Sequence, residues 1–232
     1  MEKSASIVSL KMLKDNKSPL GEPTVFRPLG EKLGAVFSTA YLAPVEYYFV
    51  INNSPEVILE QYEYYEKQSY RNRCKILSAN GVIDLSIPVE KTGKMLIRDI
   101  RISEHDNWQA NHWRAIESAY NSSAFFEYYS DDLHPFYEKK WSFLWDFNFE
   151  IQQKMMELFE IEKDITLTDN YLSQYENETD YRNLIHPKKE SLQQSRPYYQ
   201  VFEQKFGFCP NLSCIDLLFN MGPESQLILG IS

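Results

Sequence analysis

Three cysteines in 232 residues, Cys74, Cys209 and Cys214, are too few and the wrong number for a disulfide framework. Long apolar runs are missing as well. The stretch from Leu42 to Ile51 is too short and too polar to span a bilayer, and the opening Met1-Glu2-Lys3-Ser4 carries no apolar leader core. The chain has no excess of basic charge. Its formal net charge of −9 lacks the footprint that non-specific binding to nucleic acid or to an anionic membrane requires. There is no P-loop, no G-x-G-x-x-G and no G-x-S-x-G. These absences predict a soluble cytoplasmic protein with no membrane span, no nucleic-acid partner, no metal and no cofactor.

Aromatic residues are abundant, at 15% with 16 tyrosines and 14 phenylalanines. Such a composition builds an aromatic-rich core and leaves some tyrosines to line a surface groove. Residues 1–34 are interrupted by Pro19, Pro23 and Pro28 and predict a loosely ordered extension; residues 35–232 predict one domain. That domain opens with an apolar strand from Ala35 to Ala40, a loop Tyr41-Leu42-Ala43-Pro44, and a helix from Val45 to Ile51 with Pro44 at its start. A strand–loop–helix unit of this kind commonly binds ligands beyond the carboxyl end of its strand. A second strand is expected at 56–60. Asn80-Gly81 between Cys74–Leu77 and Val82–Val89 is a strong hairpin signal. Leu96–Ile102 reads as a further strand, and Trp108–Tyr120 as a helix. One or two long helices follow over 133–161, with Asp131 and Asp132 as an N-terminal acidic cap and Pro135 in an opening position. Thr168–Tyr175 reads as a short helix, 176–196 as a polar surface loop, and Tyr198–Phe206 and Ser213–Asn220 as closing helices, the last ended by Gly222. The fold class is α/β or α+β: a small mixed sheet from the N-terminal half covered by several helices from the C-terminal half.

The densest polar constellation is Gln68-Ser69-Tyr70-Arg71-Asn72-Arg73-Cys74. In an extended segment Arg71 and Arg73 share one face, and Tyr70 and Asn72 the other. A pair of guanidinium forks suits a carboxylate or phosphate. The competing reading pairs these arginines with Glu60, Glu63 and Glu66. His112, near the start of a helix, is the candidate general acid/base, against a purely packing role beside Trp108. Cys74 after the arginines is either an activated thiol or a buried apolar one.

Several segments together resemble the WbqC-like protein family, in the branch common in Bacteroidetes-type bacteria. They are Ser38-Thr39-Ala40-Tyr41-Leu42-Ala43-Pro44, Lys67 to Cys74, Asn80-Gly81 with Leu85-Ser86-Ile87-Pro88-Val89, and Trp108 with His112 to Tyr120. Many family members carry Gln-Pro where this chain has Thr39-Ala40. The resemblance implies a role in bacterial surface polysaccharide or glycolipid biosynthesis. Two function classes stay open. One is an enzyme, such as a transferase, acting on an activated sugar: Arg71 and Arg73 hold phosphate or carboxylate, His112 moves a proton, and Tyr41, Tyr70, Asn72 and Tyr120 complete the pocket. Its partner is a nucleotide sugar or sugar phosphate. The other is a non-catalytic assembly protein whose aromatic, acidic surface meets a protein partner.

Overall fold

The computed structural model describes residues 33–90, 93–104, 106–192 and 196–231. The extension expected over 1–34 lies outside them, apart from Leu33 and Gly34. The chain opens with strand β1 (Gly34–Ser38), helix α1 (Val45–Asn52) and strand β2 (Val57–Glu60). The hairpin strands β3 (Arg73–Ser78) and β4 (Gly81–Ser86) follow, then helices α2 (Trp108–Tyr120), α3 (Phe126–Leu133), α4 (Pro135–Glu138) and α5 (Leu144–Leu158). Strands β5 (Ile165–Leu167) and β6 (Glu178–Asp180) come next, and helices α6 (Glu203–Phe206), α7 (Cys214–Met221) and α8 (Ser225–Leu229) complete the order.

The α/β class holds, with a different division of strands. Four strands form a wholly parallel sheet in the order β5-β2-β1-β6, and β3 and β4 form a separate antiparallel pair. Both outer strands of the parallel sheet come from the C-terminal half of the chain. In β1, Gly34 to Phe37 are all buried, the continuous apolar run expected of a central parallel strand. The strand order reverses between β1 and β6: β1 leads through α1 to β2 on one side, whereas β6 arrives late on the other. Ligands in open α/β sheets sit at such reversal points, beyond the carboxyl ends of the strands.

α2 buries Trp108, His112, Ile116, Ala119 and Tyr120, spaced by four, four, three and one residues, which is one helical stripe. α7 buries seven consecutive residues from Cys214 to Asn220, so it runs inside the molecule, and Gly222 ends it at φ 53°. In the hairpin, Gly81 takes φ +107°, a conformation L side chains rarely adopt, and the Ser78 hydroxyl bonds its carbonyl.

Five local expectations are corrected. Leu96–Ile102 is not a strand: a 3₁₀ turn at Ile97–Asp99 puts Ile97 and Ile100 inward together, and only isolated bridges flank it. Thr168–Tyr175 forms no helix. The Thr168 amide bonds the Leu59 carbonyl and its hydroxyl bonds Glu60, so Thr168 serves β2 instead of opening a helix. The segment 176–196 is not merely a surface loop, because β6 lies within it and Arg182 is buried. Asp131 and Asp132 lie in the last turn of α3 instead of capping the next helix, although Pro135 does open α4. Only Glu203–Phe206 of the helix expected over Tyr198–Phe206 forms, since the Gln200 side chain reaches away to Asp216.

Candidate functional site

A small cleft with an inner space of about 10 Å³, room for about one water, lies at the reversal point, beyond the carboxyl ends of β1 and β6. Ser38, Thr39 and Ala40 line it from the end of β1, Tyr181 and Arg182 from the end of β6, and Tyr70 and Arg71 from the turn before β3. Tyr47 of α1 also lines it and donates its hydroxyl to the Ser38 carbonyl. The loop after β1 is pinned from behind. The Ser213 hydroxyl bonds the Leu42 carbonyl, the Cys214 amide bonds the Ala43 carbonyl, and the Tyr41 amide bonds the Tyr70 carbonyl. The cleft rim therefore stands on packed elements, which favours a fixed geometry.

Two buried arginines, Arg71 and Arg182, line it, and carboxylates stand behind each of them. Arg71 grips Glu63 with Nε to Oε1 at 2.8 Å and Nη2 to Oε2 at 2.6 Å. Its Nη2 also donates to the Ser38 hydroxyl at 2.8 Å, and that hydroxyl donates to Glu63 Oε2 at 2.9 Å. Arg182 grips Asp180 in the same two-pronged way, reaches Glu60 Oε2 through Nη1 at 3.2 Å, and donates to the Leu172 carbonyl. Tyr171 and Tyr175 lie on the Arg182 guanidinium, each ring centre 5.0 Å from Cζ. Glu60 also accepts from the Tyr62 amide, the Thr168 hydroxyl and the Tyr175 hydroxyl. Burial pushes the Glu63 carboxyl above its usual range, against the opposing pull of Arg71 and Ser38. Burial works to lower the Arg182 pKa, but the bonds and charge of Asp180 outweigh it and the net direction is up. The α1 N-terminus is closed to a phosphate. Leu212 and Asn211 take its first amides, and the buried Glu46 stands in its first turn. Thr39 is nearly fully buried, and its hydroxyl has no partner among the described residues.

The seven residues singled out from sequence fall in four places. Tyr70 and Arg71 line the cleft. Arg71 sits in a turn, however, and Arg73 in β3, so the two do not share a face: Arg73 is partly exposed, 3.9 Å from Asp84. Asn72 is buried, its side-chain amide bonding the Ile87 carbonyl at the hairpin base. Tyr41 and His112 lie together in the core. Their rings stack at 5.6 Å, the Tyr41 hydroxyl is 2.9 Å from His112 Nδ1 and 2.9 Å from the Tyr137 hydroxyl, and Trp108 meets the imidazole edge-on. Burial lowers the His112 pKa to about 4, with a bond to the Ser86 backbone pulling the other way. Tyr120 belongs to a fourth. It donates to Asp216 Oδ1, while the Tyr198 hydroxyl and the Gln200 amide donate to Oδ2. Burial raises Asp216 to about 6, and these three bonds oppose that rise. Cys74 is buried and its thiol pKa is raised by that burial, the state of an unreactive thiol.

Sequence reasoning missed Arg182, Glu60's central position and Ser38. The one local signal was the alternation of polar Glu178 and Asp180 with Thr179 and Tyr181, both buried, too short to stand out. A family model described as the WbqC-like protein family matches residues 39–190, well over half of the chain. The chain belongs to the WbqC-like protein family. The matched segment of this WbqC-like chain runs from Thr39 through Arg71 to Arg182 and Ile185, so it takes in both walls of the cleft. A curated relative, the uncharacterized protein Rv1507c of Mycobacterium tuberculosis, is 26% identical over 221 residues, covering 82% of this chain and 94% of the relative. No solved structure gives a significant match.

Proposed function

We propose that this WbqC-like chain acts in bacterial surface polysaccharide or glycolipid biosynthesis, as a group-transfer or modifying enzyme on an activated, nucleotide- or phosphate-bearing sugar. The sugar end docks at the mouth of the cleft between β1 and β6. The observation that carries this reading is the cleft's place at the strand-order reversal, where two hydroxyls, two guanidiniums and three tyrosines converge. The family resemblance supplies the surface-glycan setting. Ser38 is the group nearest to chemistry. A substrate hydroxyl bonded to its Oγ passes a proton on to Glu63 Oε2 along the 2.9 Å contact. His112, neutral near pH 7 and enclosed by Tyr41 and Trp108, braces the loop after β1 in this reading.

Thermal-shift titration with UDP-glucose, glucose 1-phosphate and glucose tests the proposal. A sugar that binds only the folded state raises Tm with concentration. The rise is expected to vanish in Thr39→Val, which leaves every protein hydrogen bond of the cleft in place. No rise with any of the three, or an unaltered rise in Thr39→Val, overturns it. A second reading, a non-catalytic assembly protein, is favoured by one observation: Tyr171 and Leu172, beside Arg182, are 51% and 48% exposed.

A further inference from the structure

The loop after β6 carries a basic run in a chain of net charge −9: Ile185 lines the cleft, and His186, Lys188 and Lys189 come next. The imidazole is fixed by its own turn. The Lys188 amide donates to His186 Nδ1, and the Lys189 amide to the His186 carbonyl. An accepting Nδ1 puts the proton of the neutral ring on Nε2. Burial, with the charges of Arg71, Lys188 and Lys189, lowers the His186 pKa against the pull of Glu66, so the ring is neutral near pH 7. Nε2 thus presents an N–H, yet that atom is buried with no hydrogen-bond partner among the described residues. The Glu66 carboxylate stands 3.8 Å away, beyond hydrogen-bond range, and its other oxygen is 3.3 Å from Arg71 Nη1. Arg71 holds Glu63 far more tightly, at 2.6 and 2.8 Å. The Glu66 side chain is 49% exposed, against 6% for Glu63, and a loose exposed pair contributes little to stability. Moving Glu66 aside frees both N–H groups of Arg71 Nη1 and the Nε2–H of His186, with exposed Lys188 and Lys189 beside them. The grip of Arg71 on Glu63 and Ser38 runs through Nε and Nη2 and is untouched. A phosphate brings more charge and more acceptor oxygens to these donors than a carboxylate does.

Resting on the sugar reading above, we infer that Glu66 occupies a phosphate site. The phosphate of the activated sugar displaces it and is held by Arg71 Nη1, His186 Nε2 and Lys188, while the sugar docks at the cleft mouth.

Calorimetry on the full chain at pH 7 and low salt, with glucose 1-phosphate, inorganic phosphate and glucose, tests this. Glu66→Gln keeps the size of the side chain and removes its charge. It is expected to bind glucose 1-phosphate at least about fivefold tighter, the factor of one partly exposed ion pair that the ligand no longer has to break. Glu224→Gln, the same charge change at an exposed acid in the turn after α7, leaves the affinity as it is. His186→Asn retains an acceptor for the Lys188 amide but lacks the Nε2 donor, and is expected to bind at least about tenfold more weakly. Glucose 1-phosphate binding that Glu66→Gln does not strengthen and His186→Asn does not weaken overturns the phosphate site and leaves the sugar reading standing. Glucose binding as tightly as glucose 1-phosphate does the same. Equal strengthening by Glu66→Gln and Glu224→Gln is the general charge of an acidic protein and overturns the site. Inorganic phosphate binding as tightly as glucose 1-phosphate, with the same response to the variants, upholds the site, assigns it to free phosphate and overturns its link to a sugar. No binding of any of the three compounds overturns both readings.

Discussion

Replacing Asp216 by Asn removes a buried carboxyl whose pKa stands at about 6 in the folded chain against an ordinary 3.8. The folded state therefore keeps a proton that the unfolded chain releases. The stability linked to that proton is complete below 3.8 and is lost as pH rises to about 6. A displacement of about two pKa units corresponds to about 3 kcal/mol. His112 works in the opposite sense. Its folded pKa of about 4 lies below the ordinary 6.5, so its contribution is complete above 6.5 and is lost as pH falls toward 4, again by about 3 kcal/mol. Between pH 4 and 6 the two nearly cancel in the wild type. In Asp216→Asn the histidine acts unopposed, and stability is expected to rise by about 3 kcal/mol from pH 4 to 6.5, relative to the wild-type curve. Loss of acceptors for Tyr198 and Gln200 adds a constant cost of about 1–3 kcal/mol at every pH. His112→Phe should tilt the difference the other way. Urea unfolding at half-unit steps from pH 4 to 7 measures all three proteins. Glu63, raised by burial in each of them, drops out of the differences. A wild-type minus Asp216→Asn difference that stays level within about 0.5 kcal/mol across the range refutes the reasoning.

Arg182→Met leaves Glu60, 0% exposed, without its cation but with three neutral donors still in place. The expected loss is about 3 kcal/mol, the low end for a broken buried pair, and Glu60→Gln in the same background should recover part of it; guanidinium unfolding with a loss under about 1 kcal/mol contradicts the buried-pair account. Gly81→Ala meets no atom within 4 Å but must adopt φ +107°, so a loss of about 1–3 kcal/mol by the same assay is expected from backbone strain alone, and a neutral result removes that explanation.

The parts legible in the sequence were those that carry their own local signal. The Asn80-Gly81 turn needs only two residues to specify a hairpin, and the four-residue spacing of Trp108, His112 and Ile116 specifies a helix face. Arg71 was legible as a residue that grips a carboxylate, and Glu63 was among the partners weighed for it. Its phase relative to Arg73 was not, because the alternation rule applies only once the chain is extended, and extension begins at Arg73. β5 and β6 are three residues each and exist only because β2 and β1 offer them open edges. No window along the chain contains that information. Arg182 was lost with β6, and with it half of the cleft.

The placement of these charges argues for a site over a staple. Buried ion pairs cost desolvation that their attraction only partly returns, and apolar residues of similar volume commonly hold a fold as well or better. This chain had the means to do so: β1, α7 and the helix faces around them are filled with Val, Ile, Leu, Phe and Tyr. Yet at the carboxyl edge of its parallel sheet every strand feeds a polar network. Ser38 ends β1, Glu60 ends β2, Asp180 ends β6, and Thr168 follows β5 directly. Apolar residues there would fill the cleft and seal it. The network instead keeps hydroxyls and charges fixed around an opening, at the position where the strand order makes room for a ligand. A local departure from the most stable filling, confined to one edge and bordering a cavity, is where function is expected to reside.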